Sequence, residues 1–173
     1  MEKKELEMKI SKNFLPQKDF DGLKTLMEAT YFPWYFNPGV VRYPGVKTPV
    51  NHFQFTHAFY GDGQIRSDYF KNLTPLFNII KPALIVRIKA NLLTLSDKII
   101  KHSMHQDFVL DNAKITTGIF YINSNNGMTI FENGKKIKSE ANKYVEFDSN
   151  TMHTGTTCTD DRKRIVINLN YIK

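Results

Sequence analysis

Two histidines, one carboxylate and one arginine stand out in this chain: His105-Gln106-Asp107, then His153, then Arg164. Two histidines with a carboxylate are a ligand set suited to non-haem Fe(II), because they leave positions open for a bidentate co-substrate and dioxygen. The one-residue gap between His105 and Asp107 matters. Side chains at i and i+2 of an extended segment point the same way, so both can face one ion. The chain would return later to supply His153. Arg164 opens the strand-like run Arg164-Ile165-Val166-Ile167-Asn168-Leu169-Asn170-Tyr171, where a fixed cation can hold the far carboxylate of a dicarboxylic acid. Taken singly, each of these residues has an ordinary alternative: His105 and Asp107 as a surface strand-end pair, His153 as a turn residue after Asp148-Ser149-Asn150.

The elements that must hold them follow from periodicity. Pro16 to Thr30 reads as a helix with Phe20, Leu23 and Met27 on one face. Tyr31 to Phe36 ends it in an aromatic cluster, a lid over the site or a hydrophobic plug between helix and sheet. The span 37–51, with three prolines and two glycines, reads as a loop long enough to be a lid or a flexible connection. Phe53, Phe55, His57 and Phe59 alternate as in a strand, and Gly61-Asp62-Gly63 breaks it. Asp68 to Ile80 reads as a second helix that Pro75 cuts or kinks. Strands are expected at about 84–92, 98–106, 115–123, 128–132, 135–139, 142–148 and 163–171. Asn133-Gly134 is a two-residue hairpin signal. Residues 1–12, charged and poor in apolar side chains, read as a frayed start. Helices followed by a strand-rich remainder indicate a mainly β (α+β) sandwich or barrel with helices against one side.

The order of HxD, distal histidine and strand-opening arginine resembles the Fe(II)/2-oxoglutarate-dependent oxygenase superfamily, most closely its prolyl-4-hydroxylase-like branch in short, phage-type versions. The likeness runs from about Leu84 to the C-terminus, with a weaker echo upstream. Gly118-Ile119-Phe120-Tyr121-Ile122-Asn123 is similar to the family's "YYLN" strand, and Asn126-Gly127-Met128-Thr129-Ile130-Phe131 to its "GGxTxF" segment. The resemblance implies a double-stranded β-helix, or jelly roll, over 83–173, buttressed by the helices and loop of 1–82 within one oxygenase domain. It implies His105, Asp107 and His153 as iron ligands. Arg164 would hold the C5 carboxylate of 2-oxoglutarate, with Tyr121 hydrogen-bonded to the same group. Fe(II), 2-oxoglutarate and dioxygen would be required, with ascorbate an optional addition. The implied reaction hydroxylates an aliphatic C–H bond of a peptidyl residue or small metabolite and yields succinate and CO2. A non-catalytic, cupin-like jelly roll that binds a ligand is the alternative. Lys89 and Asn91 lie where the family often places a further co-substrate contact. Here the run is Arg87-Ile88-Lys89-Ala90-Asn91-Leu92 in place of the tyrosine-containing prolyl-hydroxylase version, which weakens any transfer of prolyl chemistry.

Several further groups are accounted for without chemistry. Arg162 shares the parity of Arg164 but sits nearer the Thr159-Asp160-Asp161 turn, and Lys163 has the opposite parity. Asn168 and Asn170 share that of Arg164, and can line the barrel mouth or face solvent. A strand would place His102 and His105 on opposite faces, and His57 reads as a core or cleft residue. Cys158 has no identifiable partner base.

With 173 residues, 41% hydrophobic, 24% charged and 13% aromatic, the chain can bury a real core as one domain, or one with a small extension. The formal charge of +7 invites a nucleic-acid partner. Most lysines are scattered among acids, however, so solvated surface is the expectation, with a small molecule or peptide as substrate. No run approaches the roughly 18–20 apolar residues that span a bilayer. The start lacks a signal peptide's apolar stretch, and the single cysteine excludes an intramolecular disulfide. The expected setting is the cytoplasm, a host's if the protein is phage-encoded.

Overall fold

The computed structural model describes residues 7–40, 45, 47–109 and 113–173. In chain order the elements are β1 (Met8–Ser11), α1 (Gln17–Glu28), β2 (Tyr35–Asn37), β3 (Gln54–Gly61), β4 (Gln64–Ile65), a 3₁₀ helix (Asp68–Leu73), α2 (Thr74–Ile80), β5 (Leu84–Thr94), β6 (Thr116–Tyr121), β7 (Met128–Phe131), β8 (Lys136–Lys138), β9 (Lys143–Asp148), β10 (His153–Gly155) and β11 (Lys163–Ile172). A large antiparallel sheet runs β1-β9-β6-β11-β5-β3-β2, with β4 attached to β3, and a small one runs β10-β7-β8.

Period-two alternation along the central strands divides the interior in two. Ile165, Ile167 and Leu169 of β11, Ile88 and Ala90 of β5 and Phe120 of β6 face the helices. There they pack with Phe20, Leu23 and Met27 of α1 and Leu76 of α2. The opposite face sends Val166, Ile119, Tyr121, Val145 and Phe147 against Phe131 and Ile137 of the small sheet. This second face also carries Arg87, Lys89, Asn91, Arg164 and Asn168, which reach a cavity instead of apolar core. The helices thus clamp one side of the large sheet and leave the other free to build a site.

The aromatic segment before the loop becomes edge strand β2, pairing Tyr35 with Thr56, and Trp34 donates its indole N–H to the Met27 carbonyl while packing on the helix-side core. Pro75 falls in the first turn of α2, where its missing N–H costs nothing. The expected second helix is accordingly a 3₁₀ turn followed by a short α-helix. Four expectations change. Met8–Ser11 is not frayed: it pairs in register with Phe147 to Tyr144 at the sheet edge, while residues 1–6 lie outside the described residues. The hairpin at Asn133-Gly134 turns through three residues, closed by the Phe131 N–H to the Lys135 carbonyl and the Gly134 N–H to the Phe131 carbonyl, with Gly134 at φ 88°. Residues 98–106 form no strand. The Ile100 N–H goes to the Thr157 hydroxyl, a side chain taking a ladder position, and only isolated bridges Lys101–Thr156 and His105–His153 remain. Last, His153–Gly155 is a strand that the expected set did not include, which sets aside the alternative of His153 as a turn residue. Of the 37–51 loop, 41–44 and 46 are outside the described residues, and Val40 lines the cavity.

Candidate metal centre

The His105–His153 bridge builds the site. Each backbone N–H donates to the other's carbonyl at 2.9 Å, so the two imidazoles leave adjacent points, with ring centroids 4.7 Å apart. Asp107 is fixed from the same segment by its N–H on the Ser149 carbonyl, 3.2 Å. One donor atom from each of His105, Asp107 and His153 lies within 4.8 Å of the others. Nδ1 of His153 is 2.9 Å from the Thr151 carbonyl and Nδ1 of His105 is 3.3 Å from that of Ser103. A carbonyl only accepts, so Nδ1 carries the proton in each ring and Nε2 is left to bind metal. Burial, with His153 alongside, lowers the His105 pKa and favours the neutral ligand form. For Asp107 burial pushes upward, but His153, Arg87, Asn170 and His105 outweigh it and hold the carboxyl below its ordinary value. Nitrogen and oxygen donors in this number fit Fe(II), and the absence of cysteine from the set argues against a closed structural zinc site.

The carboxylate of Asp107 is heavily supported. Arg87 Nη2 donates to Oδ1 at 3.1 Å, and Asn170 Nδ2 and Thr117 Oγ1 donate to Oδ2 at 3.0 and 2.9 Å. Asn170 also accepts from Arg87 Nε at 3.1 Å. Sequence parity brought Asn170 to attention without settling its direction; Arg87 and Thr117 carried no signal beyond lying on strands.

Arg164 is buried. Its Nε donates to Ser139 Oγ at 2.7 Å and its Nη2 to Thr129 Oγ1 at 3.3 Å. No carboxylate pairs with it among the described residues. Tyr121, fully buried, shares Thr129: the two hydroxyls are 2.8 Å apart, and the Tyr121 ring lies 5.8 Å from the guanidinium carbon. Tyr121 therefore reaches the cavity wall through Thr129, a residue of the "GGxTxF"-like segment that sequence reasoning left without a role. Gly127 makes room for the arginine stem, since a Cβ there would lie 2.6 Å from Arg164 Cδ and 2.9 Å from the Thr157 carbonyl. Gly127→Ala is expected to cost ~1–3 kcal/mol, the range for overpacking, and to weaken any anion held by Arg164. Urea unfolding read beside a 2-oxoglutarate titration checks both effects.

His105, Asp107, His153 and Arg164 all open onto one cavity of about 650 Å³, together with Lys89, Asn91, Asn168 and Thr129. Among the described residues, the cations Arg87, Lys89 and Arg164 line it against the single carboxylate of Asp107. The remaining histidines serve elsewhere. His57 bonds the Pro33 carbonyl and Ser67 Oγ, both at 2.8 Å. His102 packs edge-on to His52, with both ring nitrogens unpaired. Burial brings its pKa down to about 4, so it is neutral at physiological pH. Cys158 is buried, with its thiol on the Asp161 carbonyl.

No family model and no curated protein matches the sequence. Solved structures do. A prolyl hydroxylase of Trichoplax adhaerens, solved in complex with a hypoxia inducible factor oxygen degradation domain peptide fragment, superposes with a TM-score of 0.63 at 14% identity, over 95% of this chain and 83% of that one. A Pseudomonas putida prolyl-4-hydroxylase gives 0.58 at 13% identity, over 98% and 94%. The non-heme alpha ketoglutarate dependent epimerase SnoN from nogalamycin biosynthesis gives 0.66 at 12% identity, over 97% and 78%. The chain has the jelly-roll fold of the 2-oxoglutarate- and Fe(II)-dependent oxygenases, mainly antiparallel β with helices on one side. No described helix is long and apolar enough to cross a membrane.

Proposed function

We propose that the protein is an Fe(II)- and 2-oxoglutarate-dependent dioxygenase that hydroxylates an aliphatic C–H bond, its one domain joining the helices, loop and first strands of 1–82 to the jelly-roll core of 83–173. The observation that carries this is the convergence of His105, Asp107 and His153 on a cavity that also holds a buried Arg164 with no carboxylate partner among the described residues. Fe(II) held by the three side chains would supply the activation of dioxygen, with oxidation of 2-oxoglutarate to succinate and CO2 driving it. The chain's own residues do the rest. His105 and His153 present Nε2 because their Nδ1 protons are committed to backbone carbonyls. Arg87, Asn170 and Thr117 keep the Asp107 carboxylate charged and oriented. Arg164, backed by Ser139, Thr129 and Tyr121, offers a fixed guanidinium for the C5 carboxylate. SnoN shows that the fold also serves an epimerase, so hydroxylation rests on the prolyl-hydroxylase likeness. A small molecule or peptidyl residue suits a cavity of this volume better than nucleic acid, and a cytoplasmic setting suits ferrous iron.

An anaerobic titration with Fe(II) and then 2-oxoglutarate tests this. The expected result is a weak visible metal-to-ligand charge-transfer band in wild type that is lost in His105→Ala. No band in folded, metal-loaded protein would leave a ligand-binding jelly roll.

A further inference from the structure

Within four residues of the Arg164–Leu93 pair along β5 and β11, the cavity wall carries three polar side chains that the proposed iron and co-substrate sites do not use. Lys89 on β5 faces Asn168 on β11 directly across the antiparallel pair, which sets their Cβ atoms about 5 Å apart. Asn91, two residues along β5, projects to the same side. All three line the cavity. Lys89 makes no hydrogen bond or salt bridge among the described residues. The carbonyl oxygens of Asn91 and Asn168 are buried without a partner, and rotation about χ2 turns either amide toward the cavity. Burial is the chief reason the Lys89 pKa falls, with Arg87 adding to it and Asp107 opposing, to about 8. The ammonium is thus charged at neutral pH.

Charge decides what this group is for. Arg87 is set against Asp107. In the proposed reading, on which this inference rests, Arg164 and the metal answer the two carboxylates of 2-oxoglutarate. Lys89 is the cation left over, half-buried and without a salt-bridge partner among the described residues, and a charge partly withdrawn from water is stabilised by a counter-charge. The two amides beside it can accept from a neighbouring N–H or O–H. We propose that Lys89, Asn91 and Asn168 form the substrate subsite, and that the substrate is a small carboxylic acid with an amino or hydroxyl donor beside its carboxylate: a free amino acid or a 2-hydroxy acid.

The test uses the full chain loaded with Fe(II). The charge-transfer band first measures 2-oxoglutarate binding to wild type, Lys89→Met, Lys89→Arg and Asn168→Ala. Succinate release is then followed with the twenty protein L-amino acids, their carboxamides, and L-lactate and L-malate. Saturation-transfer NMR with Zn(II) in place of iron reads binding of the same compounds without turnover. The expected result is that at least one acid binds and accelerates succinate release while its carboxamide does not. Lys89→Met should then raise its half-saturating concentration at least tenfold with 2-oxoglutarate affinity unchanged, and Lys89→Arg should restore much of the loss. Amino acids and hydroxy acids separate as arms of the panel. The subsite is overturned if acids and carboxamides act alike, if no acid binds to protein that binds 2-oxoglutarate, or if Lys89→Met weakens 2-oxoglutarate itself, which would make Lys89 a co-substrate ligand. Absence of the band in wild type is a different failure, that of the oxygenase reading.

Discussion

Arg164→Met is expected to raise the 2-oxoglutarate requirement by two to three orders of magnitude while leaving the ligand-free protein as stable as wild type, or more so. Both halves follow from one feature. Arg164 is 3% exposed, and among the described residues its guanidinium hydrogen-bonds to the hydroxyls of Ser139 and Thr129, with no carboxylate in reach. Burial without a counter-charge lowers its pKa, the signature of a charge held at a cost. Removing one partner of a buried ion pair typically costs about 3–5 kcal/mol, and at about 1.4 kcal/mol per decade the lower part of that range is two to three decades in affinity. In the ligand-free protein there is no pair to break. Methionine, which matches the arginine stem and carries no charge, removes a desolvation penalty and forfeits two hydrogen bonds to neutral hydroxyls. The measurements are a 2-oxoglutarate titration and urea unfolding of the ligand-free variant. A variant that loses several kcal/mol of stability but binds the co-substrate normally would show Arg164 to be a structural arginine.

The same arginine shows what a sequence reader can and cannot see. Its place at the head of an alternating apolar run was legible because period two carries the distinction between the helix-facing Ile165, Ile167 and Leu169 and the cavity-facing even residues. The HxD spacing was legible for a similar reason, although 98–106 is not the expected strand. His105 and Asp107 still share a side because a single bridge to His153 orients the segment, which needs no ladder. Support for these groups was not legible. Ser139 and Thr129 meet Arg164 from 25 and 35 residues away, and nothing in a lone serine or threonine marks it as a guanidinium acceptor. The N-terminal strand was missed because Met8–Ser11 is half exposed on a sheet edge. Met8 and Ile10 do alternate with Lys9 and Ser11, but four residues are the shortest run that alternation can mark, set in an otherwise charged segment, and the pairing to β9 is set by backbone groups that every sequence has.

Asp107 and its supports set the largest expected effect on metal binding. Asp107→Ala should abolish Fe(II)-dependent turnover, but it also strands the Arg87 guanidinium and the Asn170 amide, so lost activity there conflates chemistry with folding. Asn170→Ala separates them. The ionised carboxylate has about four acceptor sites on its two oxygens. Arg87, Thr117 and Asn170 take three of these, which leaves room for one metal bond and discourages reorientation. Losing Asn170 frees Oδ2 from one donor and unpins Arg87 Nε, while His105, His153 and Asp107 all remain. Removal of such an outer support typically costs 10–100-fold in metal affinity or activity. The expected result is an Fe(II) dissociation constant raised by that factor, with turnover recovered at saturating iron and Arg164-dependent 2-oxoglutarate binding retained. Recovery at high iron would identify Asn170 as a positioning residue for the carboxylate. Activity that stays lost in folded, iron-saturated protein would mean that the amide acts on the reacting groups themselves.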